Sequence, residues 1–170
     1  MKSLKTNNHI PYATESNDIF DSIENILNDK NKSRDVIVPN ISNIDLSIVT
    51  SFYKQASLKY PIIEQTVSAN KNILGNSSII EVKKKHNNTL YFCQMFCDRK
   101  SRIKNIHYAH LVNCMIDLRK FCILKSKKEY TTIEIHAPKF GTGISGGRWS
   151  TISDLISDCW YGIPTFIYRN

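Results

Sequence analysis

Four of the six glycines in this 170-residue chain fall within seven positions, Gly141-Thr-Gly-Ile-Ser-Gly-Gly147. The run follows an alternating apolar stretch, Thr131–His136, that reads as a strand. It precedes Trp149–Trp160, where Trp149, Ile152, Ile156 and Cys159 share one helical face. Residues 133–168 therefore read as strand, glycine-rich loop, helix and strand. Glycine reaches positive φ without strain and puts no Cβ between its amide and a ligand. Consecutive N–H groups can then converge on phosphate oxygens, helped by the positive end of the following helix. An ordinary tight corner needs one or two glycines; four point to a phosphate cradle. Pro138 stiffens the approach, and Lys139 or Arg148 adds charge. There is no GxxxxGK[ST] motif. The G-x-G-x-x-G spelling of Gly141, Gly143 and Gly146 lies too near the C-terminus for the rest of a dinucleotide-binding half.

Upstream, Ile19, Ile23, Ile26 and Leu27 predict an amphipathic helix over 18–27. Val36-Ile37-Val38 predicts a short buried strand ending at Pro39. Leu46, Val49, Phe52, Tyr53, Ala56 and Tyr60 fit one helix face over 46–60, stopped by Pro61. A hairpin follows, Ser77–Lys83 and Thr89–Phe96 around a turn at 86–88. The loop 98–105 is basic. A helix is expected from Tyr108 to about Lys125, with Leu111, Val112, Met115, Leu118 and Cys122 inward. This alternation predicts an α/β chain, a central sheet covered by helices on both faces. Residues 1–16 read as a flexible leader, with a short strand near Pro11–Thr14, and 17–170 as one domain.

The net charge of +8 is uneven. Twelve basic residues lie between Lys83 and Lys128, where the acids within the stretch are Asp98 and Asp117, with Glu81 just before it and Glu129 just after. Such a face attracts phosphates, and nucleic acid or a protein is a possible partner there. Five cysteines, an odd number without a CxxC pair or a secretory signal, read as buried thiols. Cys93 and Cys97 are same-face neighbours on a strand. His136 reads as a core histidine. No metal, cofactor or membrane span is expected, and the expected location is cytoplasmic.

Ile135–Trp149 resembles the strand-PRIGTGLAGGDW-helix segment of the macrodomain family. Further stretches resemble it too. Leu74-Gly75 and the following strand look like LG-x-V-x-F-V-x-V, Tyr91–Cys97 like VANMIAQ, and Ile106–Leu111 like I-R-Y-x-x-L. Val38–Asn43 is similar to IPHVCN, Ser57–Pro61 to SKKWP, and Asn17–Phe20 to the early Gly-Asp-Leu/Ile motif. The spelling is most similar to small macrodomains of tailed bacteriophages, which implies a host-cytoplasmic or virion location. The resemblance implies a three-layer α/β/α sandwich with a central mixed β-sheet, binding ADP-ribose or a related phosphorylated nucleotide. It implies ligand contacts from Asp18, Ile19, Asn43, Gly141, Thr142, Gly143, Ile144, Ser145, Gly146 and Gly147, with Asp18 reading the adenine amino group.

The departures bear on catalysis. The family's second glycine-rich loop, roughly GAWGAG, reads here Leu46–Ser51 with no glycine, and it looks like the first turn of a helix. Ser145 stands where some family hydrolases carry an aspartate, and Arg148 replaces a common aspartate. Gln94 and Asp98 replace the Asn and Gln of NMIAQ. Asn43, Asp45 and Asp98 are the catalytic candidates that remain. The expectation is binding with weak or lost catalysis. An ADP-ribosyl hydrolase or ADP-ribose-1″-phosphate phosphatase is one alternative, and a non-catalytic module for protein or nucleic acid, such as a structural module of a phage, is another.

Overall fold

Apolar residues on the central strands alternate between two helix layers, and that alternation builds the molecule. The computed structural model describes residues 13–15, 17–46, 49–69, 72–98, 106–143 and 145–169. Its elements are β1 (Ala13–Glu15), α1 (Ile19–Asn28), β2 (Arg34–Asn43), α2 (Ser51–Lys59), α3 (Ile62–Ala69), β3 (Ser77–Lys85), β4 (Asn88–Asp98), α4 (Tyr108–Glu129), β5 (Thr132–Pro138), α5 (Trp149–Cys159) and β6 (Thr165–Tyr168). The sheet order is β1-β6-β5-β2-β4-β3. Every pairing is parallel except that of β3 with β4. This is the expected mixed sheet in a three-layer α/β/α sandwich.

On β2, Val36 and Val38 face one core while Ile37 and Ile41 face the other. On β4, Leu90, Phe92 and Phe96 share the first core, and Tyr91, Cys93, Met95 and Cys97 the second. Strands covered on both faces carry such continuous apolar runs. The first core is closed by Ile19, Ile23 and Leu27 of α1 with Phe52 of α2 and Ile63 of α3. The second is closed by Leu111, Met115 and Leu118 of α4 with Ile152 and Ile156 of α5. Cys93, Cys97, Cys114 and Cys122 are free thiols buried in the second core. Burial pushes the Cys114 thiol up to about 11 and the Cys122 thiol up to about 12, so both stay protonated at neutral pH. Among the described residues, no helix is long and apolar enough to cross a membrane.

Several expectations need correction. Strand β2 does not stop at Pro39 but runs through it to Asn43. Pairing with β5 covers only Arg34–Ile37, whereas pairing with β4 continues to Asn43. Pro39 therefore sits where the strand has a neighbour on one side only, the setting in which a strand tolerates proline. The second helix starts at Ser51, not at Leu46, because Thr50 caps it: the Thr50 side chain accepts the Tyr53 N–H at 3.1 Å. The helix α3 after Pro61 was not anticipated. On α4, Cys114 rather than Val112 belongs to the core face. The early strand lies at Ala13–Glu15, inside the stretch read as a leader, and pairs with β6. The basic loop expected over 98–105 lies outside the described residues beyond Asp98.

Candidate functional site

The order of the sheet decides where a ligand can enter. From β2 the chain moves toward β4, and from β5 it moves the opposite way, toward β6. Where connections diverge like this, a crevice opens beyond the carboxyl ends of the two strands, and ligands of α/β sheets bind there. Here β2 and β5 stop pairing after Ile37 and Ile135. A cavity of about 270 Å³ lies beyond, near the small end of ligand pockets, which run roughly 300–1,000 Å³. Three elements wall it: the end of β2 (Asn40–Asn43), the start of α2 (Thr50–Phe52) and the chain leaving β5 (Pro138–Gly141, Gly143 and Ser145). Asp98 at the end of β4 completes the lining.

The glycine loop divides into two kinds of position. At Gly141, with φ +78°, a Cβ would lie 2.6 Å from Ile152 Cδ1; at Gly147 it would lie 2.6 Å from the Gly141 carbonyl oxygen. These two glycines are required by packing. Gly147 and Gly146 also donate their N–H groups inside the loop, to the carbonyls of Gly141 (2.7 Å) and Gly143 (3.1 Å). Gly143 differs, because a Cβ there would meet nothing within 4 Å. It is exposed and lines the cavity, so it is the position where a ligand can approach the backbone. The loop is anchored from outside: Ile106 N–H donates to the Ser145 carbonyl at 2.9 Å, and Arg148 N–H to the Tyr108 hydroxyl at 2.8 Å. Thr142 is exposed beside Gly143. Ile144 lies outside the described residues.

The loop after β2 is built on other principles. Asn43 ends the strand, and its side-chain N–H donates to Asp45 at 2.6 Å. Leu46 takes φ +56°, a left-handed conformation that costs an L residue roughly 1–2 kcal/mol. At Thr50 the chain is held by buried polar groups that the sequence reading did not identify. The Thr50 hydroxyl donates to Asn40 Oδ1 at 3.1 Å, and Asn40 Nδ2 donates to Gln94 Oε1 at 3.0 Å and to the Ile41 carbonyl at 3.1 Å. Asn40 and Gln94 are 4% and 1% exposed, and buried polar groups of this kind are held by hydrogen bonds within the protein. The available signal was Thr50 itself, a good N-cap residue placed directly before a helical pattern.

The three catalytic candidates come together at the ends of β2 and β4. Asn43 pairs with Asp98 across the sheet after a register shift at Ser42/Asn43, and Ile44 N–H donates to the Asp98 backbone carbonyl at 3.3 Å. Asn43 and Asp98 line the cavity, while Asp45 is exposed next to Asn43. Asp18 and Ile19 do not line it. Asp18 is the N-cap of α1, accepting the Phe20 N–H at 2.8 Å and the Asp21 N–H at 3.1 Å, and the Ile19 side chain is buried in the core. Phe20 connects that corner to the site, stacked on Phe52 at a centroid distance of 5.6 Å.

Below the cavity, His136 is a satisfied core histidine. Its Nδ1 is 2.7 Å from the Tyr168 hydroxyl and its Nε2 is 3.1 Å from Glu134 Oε2. Burial alone would raise the Glu134 pKa, but the His136 hydrogen bond and the Arg34 charge hold it below the usual carboxylate range. Among the described residues of the basic stretch 83–128, several lysines are paired with acids. Lys83 pairs with Glu24 at 2.9 Å, Lys125 with Glu129 at 2.5 Å and Lys120 with Asp117 at 4.0 Å. Lys83, Lys84 and Lys85 lie on edge strand β3, where lysines hinder docking of a further strand. Among the described residues, no three His, Cys, Asp or Glu side chains are grouped so that they could hold a metal ion.

No family model matches the sequence, and neither does any curated protein. Solved structures do match. A Bacteroides thetaiotaomicron protein superposes with a TM-score of 0.72 at 18% identity, over 94% of this chain and 99% of that one. A macrodomain protein from Streptomyces coelicolor gives 0.66 at 18% identity, over 94% and 99%. The Thermosipho africanus DarTG structure, in complex with ADP-ribose, gives 0.57 at 15% identity, over 79% of this chain and 38% of that one. The chain has the macrodomain fold.

Proposed function

We propose that the protein binds ADP-ribose or a related phosphorylated nucleotide in the switch-point cavity, with catalysis weak or lost. The observation that carries this reading is the meeting of two phosphate-suited features on one cavity. The open backbone at Gly143 faces it, and so does the start of α2, the positive end of a helix dipole. The ADP-ribose held by a protein of the same fold, the Thermosipho africanus DarTG, supports the choice of ligand. On catalysis, the loop after β2 contains no glycine to wrap a sugar closely. Its Thr50 hydroxyl is engaged by Asn40 and by the α2 cap. Hydrolysis requires a base in reach of the attacking water, and the Asn43–Asp45 pair points its hydrogen bond inward on itself.

Calorimetry with ADP-ribose is expected to show saturable binding below millimolar ligand. Gly143→Glu is expected to weaken it by about 100-fold or more, because a carboxylate enters the phosphate position. The melting temperature should hardly change, since that side chain points into open space. Absence of heat at millimolar ADP-ribose, its 1″-phosphate and its cyclic relatives would overturn the reading. Turnover of any of them that collapses in Asn43→Ala would replace it with the enzyme reading.

A further inference from the structure

Strands β2, β4, β5 and β6 all begin at the end of the sheet opposite the switch-point cavity. That end gathers the loop before β2, the turn between β3 and β4, and the turn between α4 and β5. Ser33 ties the three together, because its hydroxyl lies 3.3 Å from the Asn87 carbonyl and 3.2 Å from the Thr131 hydroxyl. These segments carry six exposed lysines: Lys30 and Lys32, Lys84 and Lys85, Lys127 and Lys128. Among the described residues, none of the six is paired with an acid. The acids of the same segments are engaged elsewhere, Asp29 by Arg34 at 3.3 Å and Glu129 by Lys125. The Lys125 hydrogen bond, then the charges of Lys125, Lys84 and Lys128, hold the Glu129 carboxyl below its usual range. Lysines of two segments therefore act in one field. From β5 to β3 this end spans three strand spacings, about 14 Å. The lysines are spread along that edge rather than converging on a point, which suits a chain of phosphates and not a single one.

Beside them lies an open groove of about 380 Å³. It is lined by the end of α4 and the start of β5 (Ser126, Lys127, Thr131, Thr132) and by the turn before β6 (Gly162, Ile163, Pro164). Each of these two segments brings an exposed aromatic ring. Tyr130, 94% exposed, directly precedes Thr131, and Tyr161, 70% exposed, directly precedes Gly162. The Arg119 guanidinium donates to the Tyr161 carbonyl at 3.3 Å, which holds that turn against α4. Tyr130 ends α4 at φ +53°, the left-handed position that glycine fills without strain. A tyrosine there is strained and its ring gains nothing from burial, so folding does not account for it. Rings left in water beside unpaired lysines are the parts of a single-strand site, where cations track phosphates and aromatic faces stack on unpaired bases. A duplex keeps its base faces stacked inside.

We propose that the end of the molecule opposite the cavity binds single-stranded nucleic acid, with Lys84, Lys127 and Lys128 on its phosphates and Tyr130 and Tyr161 stacked on its bases.

The test is fluorescence anisotropy on the full chain with labelled oligo-dT and oligo-U of about 12 nucleotides, the matching duplex, and phosphatidylserine vesicles. The single strands are expected to bind at low salt, at least about fivefold tighter than the duplex. Tyr130→Gly should weaken them by about tenfold while the melting temperature changes little, since glycine suits the left-handed position. Lys84→Gln with Lys127→Gln should lower the slope of log affinity against log salt by about 1.4. Binding should survive Gly143→Glu, which alters the other cavity. No binding of single strands, equal affinity for the duplex, or an affinity untouched by Tyr130→Gly overturns the proposal. Capture by the vesicles without binding of the oligonucleotides overturns it in favour of a membrane surface. Loss of binding in Gly143→Glu overturns it by moving the nucleic acid to the switch-point cavity.

Discussion

Two loops leave the sheet at the same switch point, and they are built in opposite ways. The loop after β5 reaches its shape through glycine. Gly141 and Gly146 take positive φ, and Gly141 and Gly147 pack so closely that no side chain fits. The loop after β2 reaches its shape through side chains. Leu46 holds a left-handed conformation, and Thr50, Asn40 and Gln94 form a buried hydrogen-bonded chain. A loop of the first kind can present bare backbone to a ligand, whereas the described residues of the second use their polar side chains internally. On the proposed reading, this contrast makes the first wall the phosphate side and leaves the second without a close backbone wrap.

Substitutions can break this comparison, and the largest effect is expected in the glycine loop. Gly141→Val should destabilise the protein on the order of 3 kcal/mol, combining overpacking against Ile152 with left-handed strain. Gly143→Ala should stay within about 0.5 kcal/mol of wild type. Urea denaturation compares the two, and similar costs would refute the division of the glycines. Next in size is Thr50→Ala, which removes the cap of α2 and the donor to Asn40. A loss of about 1–2 kcal/mol is expected in the same measurement; a neutral result would mean that the polar chain does not hold the loop. The smallest effect is Leu46→Gly. Relief of the left-handed strain and loss of the packing of a half-buried leucine are each about 1–2 kcal/mol. The net change should stay within about 1 kcal/mol, whereas the same substitution at fully buried Leu111 should cost more than about 4 kcal/mol.

Much of the fold was legible because it rests on local patterns. The apolar runs of β2 (Val36–Val38) and β4 (Leu90–Cys93) and the helical spacing of α1, α4 and α5 are written in consecutive residues. So is the demand for glycine after β5. The misreadings have one origin, the neighbours that a segment acquires on folding. Pro39 looked like a strand end because a proline lacks an N–H, yet β5 has stopped pairing with β2 before that point. Leu46 and Val49 looked helical because they match the spacing of Phe52 and Tyr53. The helix waits for Thr50, whose hydroxyl finds Asn40 only in the folded state. Asp98 showed only as a departure from the strand motif that Tyr91–Cys97 resembles; its place beside Asn43 depends on a register shift between strands distant in sequence.

By itself the sequence determined the layers of this protein and one wall of its site, since apolar periodicity and glycine content act through the nearest residues along the chain. The tertiary structure decided everything that depends on strand order. It opened the crevice between β2 and β5, kept Asp18 at a helix cap, and set Asp98 beside Asn43. It also turned the glycine-free segment into a hydrogen-bonded wall. The reason is physical: charges and buried amides act through space, and only the register of the sheet says which of them meet.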